Sequence, residues 1–299
     1  MHEAELVGVL PSISPGEKIK AYFELTKPRI ATLVLIVAMA TFFLASSTGI
    51  DPTKAVLALL GTGTLAAGIF ALNHLLERDW DSLMRRTGRR PLPSGRLSVA
   101  EAFWFGTLLS VTALAINFVL LNFLSGVVAL FTLVSYLFVY TPLKRRTPYH
   151  TALGALSGAT PPLLGWAAAT GTLPPNAWIL FGVLFFWQFP HFLSIDMIYR
   201  EDYERAGMLV LPVVDKSGRM VRFQIIAALV LLVGVSILPS VTGLAGTVYL
   251  VAAILLGAGF VAAGLYACIY PTKMAAKRLL RSSVLYLPLL FLFMFSNVR

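Results

Sequence analysis

The sequence predicts an all-α membrane protein of about nine transmembrane helices, with the N-terminus cytoplasmic and the C-terminus outside. Three observations lead there. Of the 299 residues 58% are hydrophobic and only 13% charged, with a mean hydropathy of +0.80, whereas a soluble domain carries about 25% charged residues. The apolar residues are gathered into runs of the roughly 20 residues that a bilayer crossing needs. The Lys and Arg residues fall almost entirely into alternate connectors between those runs.

In chain order the runs cover about 30–49, 55–76, 102–121, 125–142, 151–170, 175–196, 223–242, 244–268 and 283–297. Connectors as short as Asn122 to Ser125 and Ser240 to Gly243 require tight antiparallel hairpins, and Gly and Pro fall mainly at the run ends, where they punctuate helices. Lys18, Lys20, Lys27 and Arg29 precede the first run. Arg78, Arg85, Arg86, Arg89, Arg90 and Arg96 follow the second, and Lys144, Arg145 and Arg146 follow the fourth. Arg200, Arg205, Lys216, Arg219 and Arg222 follow the sixth, and Lys273, Lys277, Arg278 and Arg281 follow the eighth. Only Lys54 and Arg299 lie on the other side. By the positive-inside rule these basic connectors are cytoplasmic. No low-complexity stretch or soluble insert interrupts the pattern, so residues 1–299 form a single membrane domain, with 1–20 expected as a flexible cytoplasmic segment.

The charge distribution also excludes functions. A net charge of +10 is no sign of nucleic-acid binding when the cations sit in short loops that report topology. The middle of every run lacks Asp, Glu, Lys and Arg, which argues against an ion pump or proton-coupled transporter. The first residues, with Glu3, Glu5 and Pro11, lack the basic-then-apolar order of a cleavable signal. The single cysteine, Cys268, lies inside an apolar run and reads as packing. Chemistry is expected at one interface, among the acidic residues beside the basic connectors.

Four stretches carry that chemistry. Asn73, Glu77 and Asp81 end the second run at i, i+4 and i+8, which places three oxygen-bearing side chains on one helix face. Mg²⁺ takes one or two carboxylates and completes its shell with substrate phosphate and water, although an amphipathic helix end pairing with nearby arginines gives a similar pattern. The loop from Arg85 to Gly95 offers Arg85, Arg86 and Arg89 as forks for phosphate oxygens, or as topology signals that touch anionic lipid. Lys144 and Arg145 add cations on the same side, as diphosphate ligands or snorkelling anchors. The sixth run closes with His191, Asp196, Tyr199, Arg200 and Asp202. Its end faces the same side as the end of the second run, so the two acidic ends are able to form a two-sided cage.

Together these stretches resemble the UbiA superfamily of intramembrane prenyltransferases, and within it the branch that farnesylates haem. The resemblance runs from Leu25-Thr26-Lys27-Pro28-Arg29 through Asn73 to Gly95, Tyr140 to Gly171 and Trp187 to Pro212. Gly158 to Ala168, Trp187-Gln188-Phe189-Pro190-His191-Phe192 and Asp202-Tyr203 followed by Ala206-Gly207 resemble the haem branch more than the quinone branches. Where the wider superfamily's first motif has two aspartates after the asparagine, Glu77 takes the first place and Asp81 the second. Asp196 fits the spacing of the second motif, where the haem branch is expected to carry a small or apolar residue.

The resemblance implies nine helices around a central cavity, with Mg²⁺ as cofactor and farnesyl diphosphate and haem b as substrates. It further implies contact with membrane lipid and a downstream haem A synthase as a partner, while topology and length point to a multi-pass place in the inner cell membrane of a bacterium, with an archaeal plasma membrane as the alternative. Asn73, Glu77, Asp81 and Asp202 are then the catalytic candidates, and Asp196 joins them as a metal ligand. Arg85, Arg86, Arg89, Lys144, Arg145 and Arg200 are the candidates for the diphosphate, and His191 and Tyr199 for contact with haem. The competing readings are a prenyltransferase for a quinone or chlorophyll-type ring, a lipid transporter on the same helices, and a structural assembly subunit.

Overall fold

The computed structural model describes residues 13–46 and 49–298. Its helices are α1 (Pro15–Leu25), α2 (Pro28–Ala45), α3 (Pro52–Asp81), α4 (Val99–Leu121), α5 (Phe123–Leu143), α6 (His150–Gly158), α7 (Pro161–Thr170), α8 (Pro175–Ile198), α9 (Arg200–Arg205), α10 (Leu211–Val214), α11 (Arg219–Val241), α12 (Thr247–Ile269) and α13 (Lys273–Phe295). The one β pairing among the described residues is an isolated bridge between Ala245 and Val298. Eight of the helices (α2, α3, α4, α5, α8, α11, α12 and α13) are long and apolar enough to cross a membrane.

The starts are chemically marked. Ser14 and Ser98 each close a capping box, with Glu17 and Glu101 respectively, which satisfies amide groups that open a helix. Asp51 caps α3 ahead of Pro52, Asn122 caps α5 and Thr272 caps α13. α13 starts ten residues before the expected run because Lys273, Lys277, Arg278 and Arg281 lie on the helix itself. The edge of an apolar run marks the end of the hydrocarbon, and a helix is free to continue into the polar layer.

The fifth expected run differs from the reading of 151–170 as one span. It is split into α6 and α7 at Ala159–Thr160. Pro161 has no N–H for the Ser157 carbonyl, and its ring obstructs a continuous helix. The Thr160 hydroxyl takes over by donating to Ser157 O at 2.8 Å, and Thr132 Oγ1 donates in turn to Thr160 Oγ1 at 2.8 Å. Apolar content made the run look continuous, while the backbone hydrogen bonding decided otherwise.

The chain passes back and forth between two ends. At one end, here called the mouth, Lys27, Asp81, Lys144 and the end of α8 gather. At the other, Asn122 donates to Ala167 O at 2.8 Å, and Gly246 N–H to Asn297 O at 2.8 Å. α2 packs on α3 and α7, α3 on α4, and α8 on α7, α11 and α13. α2 and α7 approach closely, so that a Cβ added to Gly165 would stand 1.9 Å from Ala38 O. Such small-residue contacts matter in lipid, where van der Waals packing carries much of the helix association. The segment expected to be flexible is helical from Pro15 onward, while residues 1–12 lie outside the described residues, as does Arg299.

Candidate active site

α3 stays helical to Asp81, so Asn73, Glu77 and Asp81 form one row as their spacing predicts, and all three are buried. Each is engaged by a residue from a different part of the chain. Lys27 Nζ donates to Asn73 Oδ1 at 2.7 Å from the α1–α2 junction. Lys144 Nζ donates to Glu77 Oε1 at 2.5 Å from the segment after α5. Arg90 Nη1 donates to Asp81 Oδ2 at 2.6 Å from the loop after α3. Asn73 also donates to Thr141 Oγ1 at 3.1 Å, and the Thr141 hydroxyl donates to Tyr136 O at 2.9 Å. That carbonyl belongs to a π-helical stretch, Ser135–Tyr140, whose wider turn brings Thr141 and Lys144 round to α3.

Lys27 is the one non-glycine residue with positive φ among the described residues, at 46°. That left-handed backbone carries strain of about 1 kcal/mol. The turn sharpens the α1–α2 junction and lets Lys27 reach Asn73, with its ammonium 5.3 Å above the Phe70 ring. Burial, reinforced by the nearby Arg90, pushes Lys27 down to about 7. Lys144 is shifted the other way. Burial alone would lower it, but the Glu77 carboxylate and the Tyr140 and Tyr136 rings hold it well above the ordinary lysine value.

The end of α8 meets this row from the other side. Arg86 donates to Tyr203 Oη at 3.1 Å, with its guanidinium 4.7 Å from the Tyr199 ring. Trp80 and Met84 pack with Tyr203, Ala206, Met208 and Val210, and Arg145 lies 5.3 Å from the Trp80 ring. Leu209 N–H donates to Lys144 O at 3.0 Å. Burial, with the Asp196 charge adding to it, pushes Tyr203 up to about 12. Asp196 is itself buried on α8.

The remaining predicted residues stand apart from the row. Arg85, Arg86, Arg89, Arg145 and Arg200 are exposed around the mouth. Arg86 lies over the ring of Tyr199, which remains exposed, and Asp202 is paired with Arg205 at 3.2 Å. His191 faces Ser283 on α13. Lys27, Arg90 and Thr141 did not figure among the predicted site residues. The position of Lys27 directly before Pro28 was the available signal for a hinge residue, whereas nothing in the loop composition set Arg90 apart from Arg85, Arg86 and Arg89.

Among the described residues no three His, Cys, Asp or Glu side chains cluster as a ready-made metal site. The donors nevertheless fit a hard cation that arrives with its phosphate ligands, because Asp81 Oδ1 and Asp196 Oδ2 are both buried without a hydrogen-bond partner. An asparagine and two acids in a row, met by cations at the mouth of an apolar helical bundle, have the chemistry to receive a lipophilic molecule with an anionic head.

Comparison with known proteins agrees. Residues 34–295 match the UbiA prenyltransferase family, and the chain belongs to that family. It is 44% identical over 279 residues to a protoheme IX farnesyltransferase of Solibacter usitatus, an alignment covering 90% of this chain and 96% of the relative. Its fold is similar to that of a digeranylgeranylglyceryl phosphate synthase, with a TM-score of 0.77 at 21% identity over 94% of this chain and 98% of the other. It is also similar to a UbiA homolog from Archaeoglobus fulgidus bound to GPP and Mg²⁺, with a TM-score of 0.60 at 19% identity over 92% and 99% of the two chains.

Proposed function

We propose that this protein transfers the farnesyl group of farnesyl diphosphate to a vinyl group of haem b, giving haem O and diphosphate. The observation that carries the proposal is the identity with protoheme IX farnesyltransferases over nearly the whole chain. The site supports it through a row of acids whose cationic partners suit a diphosphate. We place the protein in the inner membrane with the mouth facing the cytoplasm, in agreement with the cations gathered there, and with a haem A synthase acting on its product.

Asn73, Glu77, Asp81 and Asp196 would hold Mg²⁺, and Asp202 stands as a further carboxylate at the rim. Bound there, the metal supplies positive charge against the diphosphate as the C1–O bond breaks. Lys144, Arg90 and Lys27 lie against the same row, and Arg85, Arg86, Arg89, Arg145 and Arg200 line the approach. They orient the diphosphate and stabilise the charge that grows on it. It departs with the bonding electron pair. The vinyl π electrons form the new bond to farnesyl C1, and the resulting cation is captured by water, which loses a proton. The apolar bundle keeps bulk water from the allylic cation before the vinyl group reaches it.

The test is to incubate reconstituted protein with labelled farnesyl diphosphate and haem b, with and without EDTA. Farnesylated haem is expected from the wild type with Mg²⁺, and not after chelation or from Asp81→Asn. Product from 4-hydroxybenzoate in place of haem would overturn the acceptor while keeping the class of reaction.

A further inference from the structure

α8 is an interior helix. From Ile179 to Ile198 none of its residues is exposed, whereas α4 shows Phe103, Trp104, Leu108 and Val111 to the outside. Yet Phe185, Trp187, Phe189, His191 and Phe192 on α8 are only half-buried. At 100° per residue Phe185, Phe189 and Phe192 share one side of α8 while Trp187 and His191 share the opposite side, so aromatic side chains that are not sealed stand on both, and a flat apolar ligand suits either.

His191 is the polar member of the Trp187 side, and its environment fixes its tautomer. Its Nδ1 lies 2.8 Å from Ser283 Oγ. Ser283 Oγ also lies 2.7 Å from Leu280 O, and a carbonyl only accepts, so the single hydroxyl hydrogen goes there. Ser283 must therefore accept from His191, which puts the imidazole hydrogen on Nδ1 and leaves Nε2 with a bare lone pair. The ring is held by stacking on Trp187 at 4.6 Å and 22°, and Trp187 is pinned by its own Nε1–H donating to Ser283 O at 2.8 Å. Nε2 has no hydrogen-bond partner among the described residues and is not among the sealed unpartnered atoms, unlike both ring nitrogens of His74. A histidine oriented through one nitrogen, with the other left bare, is the arrangement that metal-binding histidines use.

We propose that His191 Nε2 is the axial ligand to the iron of the haem substrate, and that Ser283 is the positioning residue that sets its tautomer. The proposal rests on haem being the acceptor. His191 is five residues before Asp196 on α8, which sets it about 8 Å deeper than the acid along the helix axis. A macrocycle centred there presents its rim toward the level of the diphosphate.

The experiment is a titration of the purified full-length protein with haem b, followed by absorption and electron paramagnetic resonance. The wild type is expected to show imidazole-ligated iron. His191→Ala loses that signature, and added imidazole restores it. Ser283→Ala keeps the signature with affinity lowered about tenfold. Unchanged binding of farnesyl diphosphate in both variants shows that the fold and the acidic row survive. An imidazole signature retained in His191→Ala overturns the assignment, as does wild-type protein that farnesylates haem without any nitrogen ligand on the iron. If the wild type neither binds nor farnesylates haem but prenylates another ring, the acceptor reading fails and this assignment falls with it.

Discussion

Arg90 Nη1 lies 2.6 Å from Asp81 Oδ2, so the last acid of the row is neutralised by the loop that leaves its own helix. The Asp81 side chain is 1% exposed and that of Arg90 25%. Removing the arginine alone strands a buried carboxylate, which costs about 3 kcal/mol. Arg90→Met is therefore expected to melt at lower temperature in detergent, and Arg90→Met with Asp81→Asn to regain much of the loss. Equal melting of wild type and Arg90→Met would show that the pair does not support the fold.

Lys144 and Glu77 form the matching pair one turn deeper, and their coupling is measurable. Glu77→Gln and Lys144→Met should each slow diphosphate release about 100-fold, by analogy with the loss of one group that stabilises developing charge. The double variant should fall well short of the product of the two losses, because each single change already breaks the same contact. A double-mutant cycle on stability should return about 0.5–3 kcal/mol of coupling. Additive losses would mean that the two side chains act separately.

Gly165→Ala tests the contact between α2 and α7. The added methyl group meets Ala38 O and Thr41 Oγ1, so the helices have to part. Overpacking of this kind costs about 1–3 kcal/mol, and a lowered unfolding temperature is the expected reading. The same change at Gly234, where a Cβ meets nothing within 4 Å, is the control and should leave melting unaltered.

Asp215 gives the protein an acid-sensitive joint outside the membrane. Its carboxylate accepts from Ser217 Oγ at 2.7 Å and from the amides of Met220 at 2.7 Å and Val221 at 3.1 Å, which open α11. The Ser217 hydroxyl and these amides hold it below the usual aspartate range. The folded state thus binds the proton less readily than the unfolded one. Its contribution is present above the unfolded value of about 3.9 and lost as pH falls through the lower folded value. Amide exchange at Met220 and Val221 should quicken below that range in the wild type, and already at neutral pH in Asp215→Ala. Protection that does not change with acid would dismiss the joint.

Much of the bundle was legible because hydropathy and charge are one-dimensional signals. The row was legible because i, i+4 and i+8 share a face on any helix long enough to carry them. The partners of the row were not. Arg90 and Arg89 are neighbours of the same type, and only the path of the loop sends one to Asp81 and leaves the other exposed. Lys27 depends on a left-handed backbone at a single residue, and Lys144 on a π-helical stretch that shifts the register of α5. The split between α6 and α7 was written in Pro161-Pro162, but a count of apolar residues does not register a missing N–H.

The pairing of Glu77 with Lys144 spans 67 residues, and this separation imposes an order on biosynthesis. When α3 first leaves the ribosome, Glu77 has Lys27 nearby but lacks the lysine that donates to it, and a carboxylate without its hydrogen-bonded partner is costly to move out of water. The end of α3 must then wait at the membrane surface until α4 and α5 have been made and Lys144 arrives. The site closes as a late step of assembly, and a nascent chain halted before Lys144 would hold its acids in contact with water.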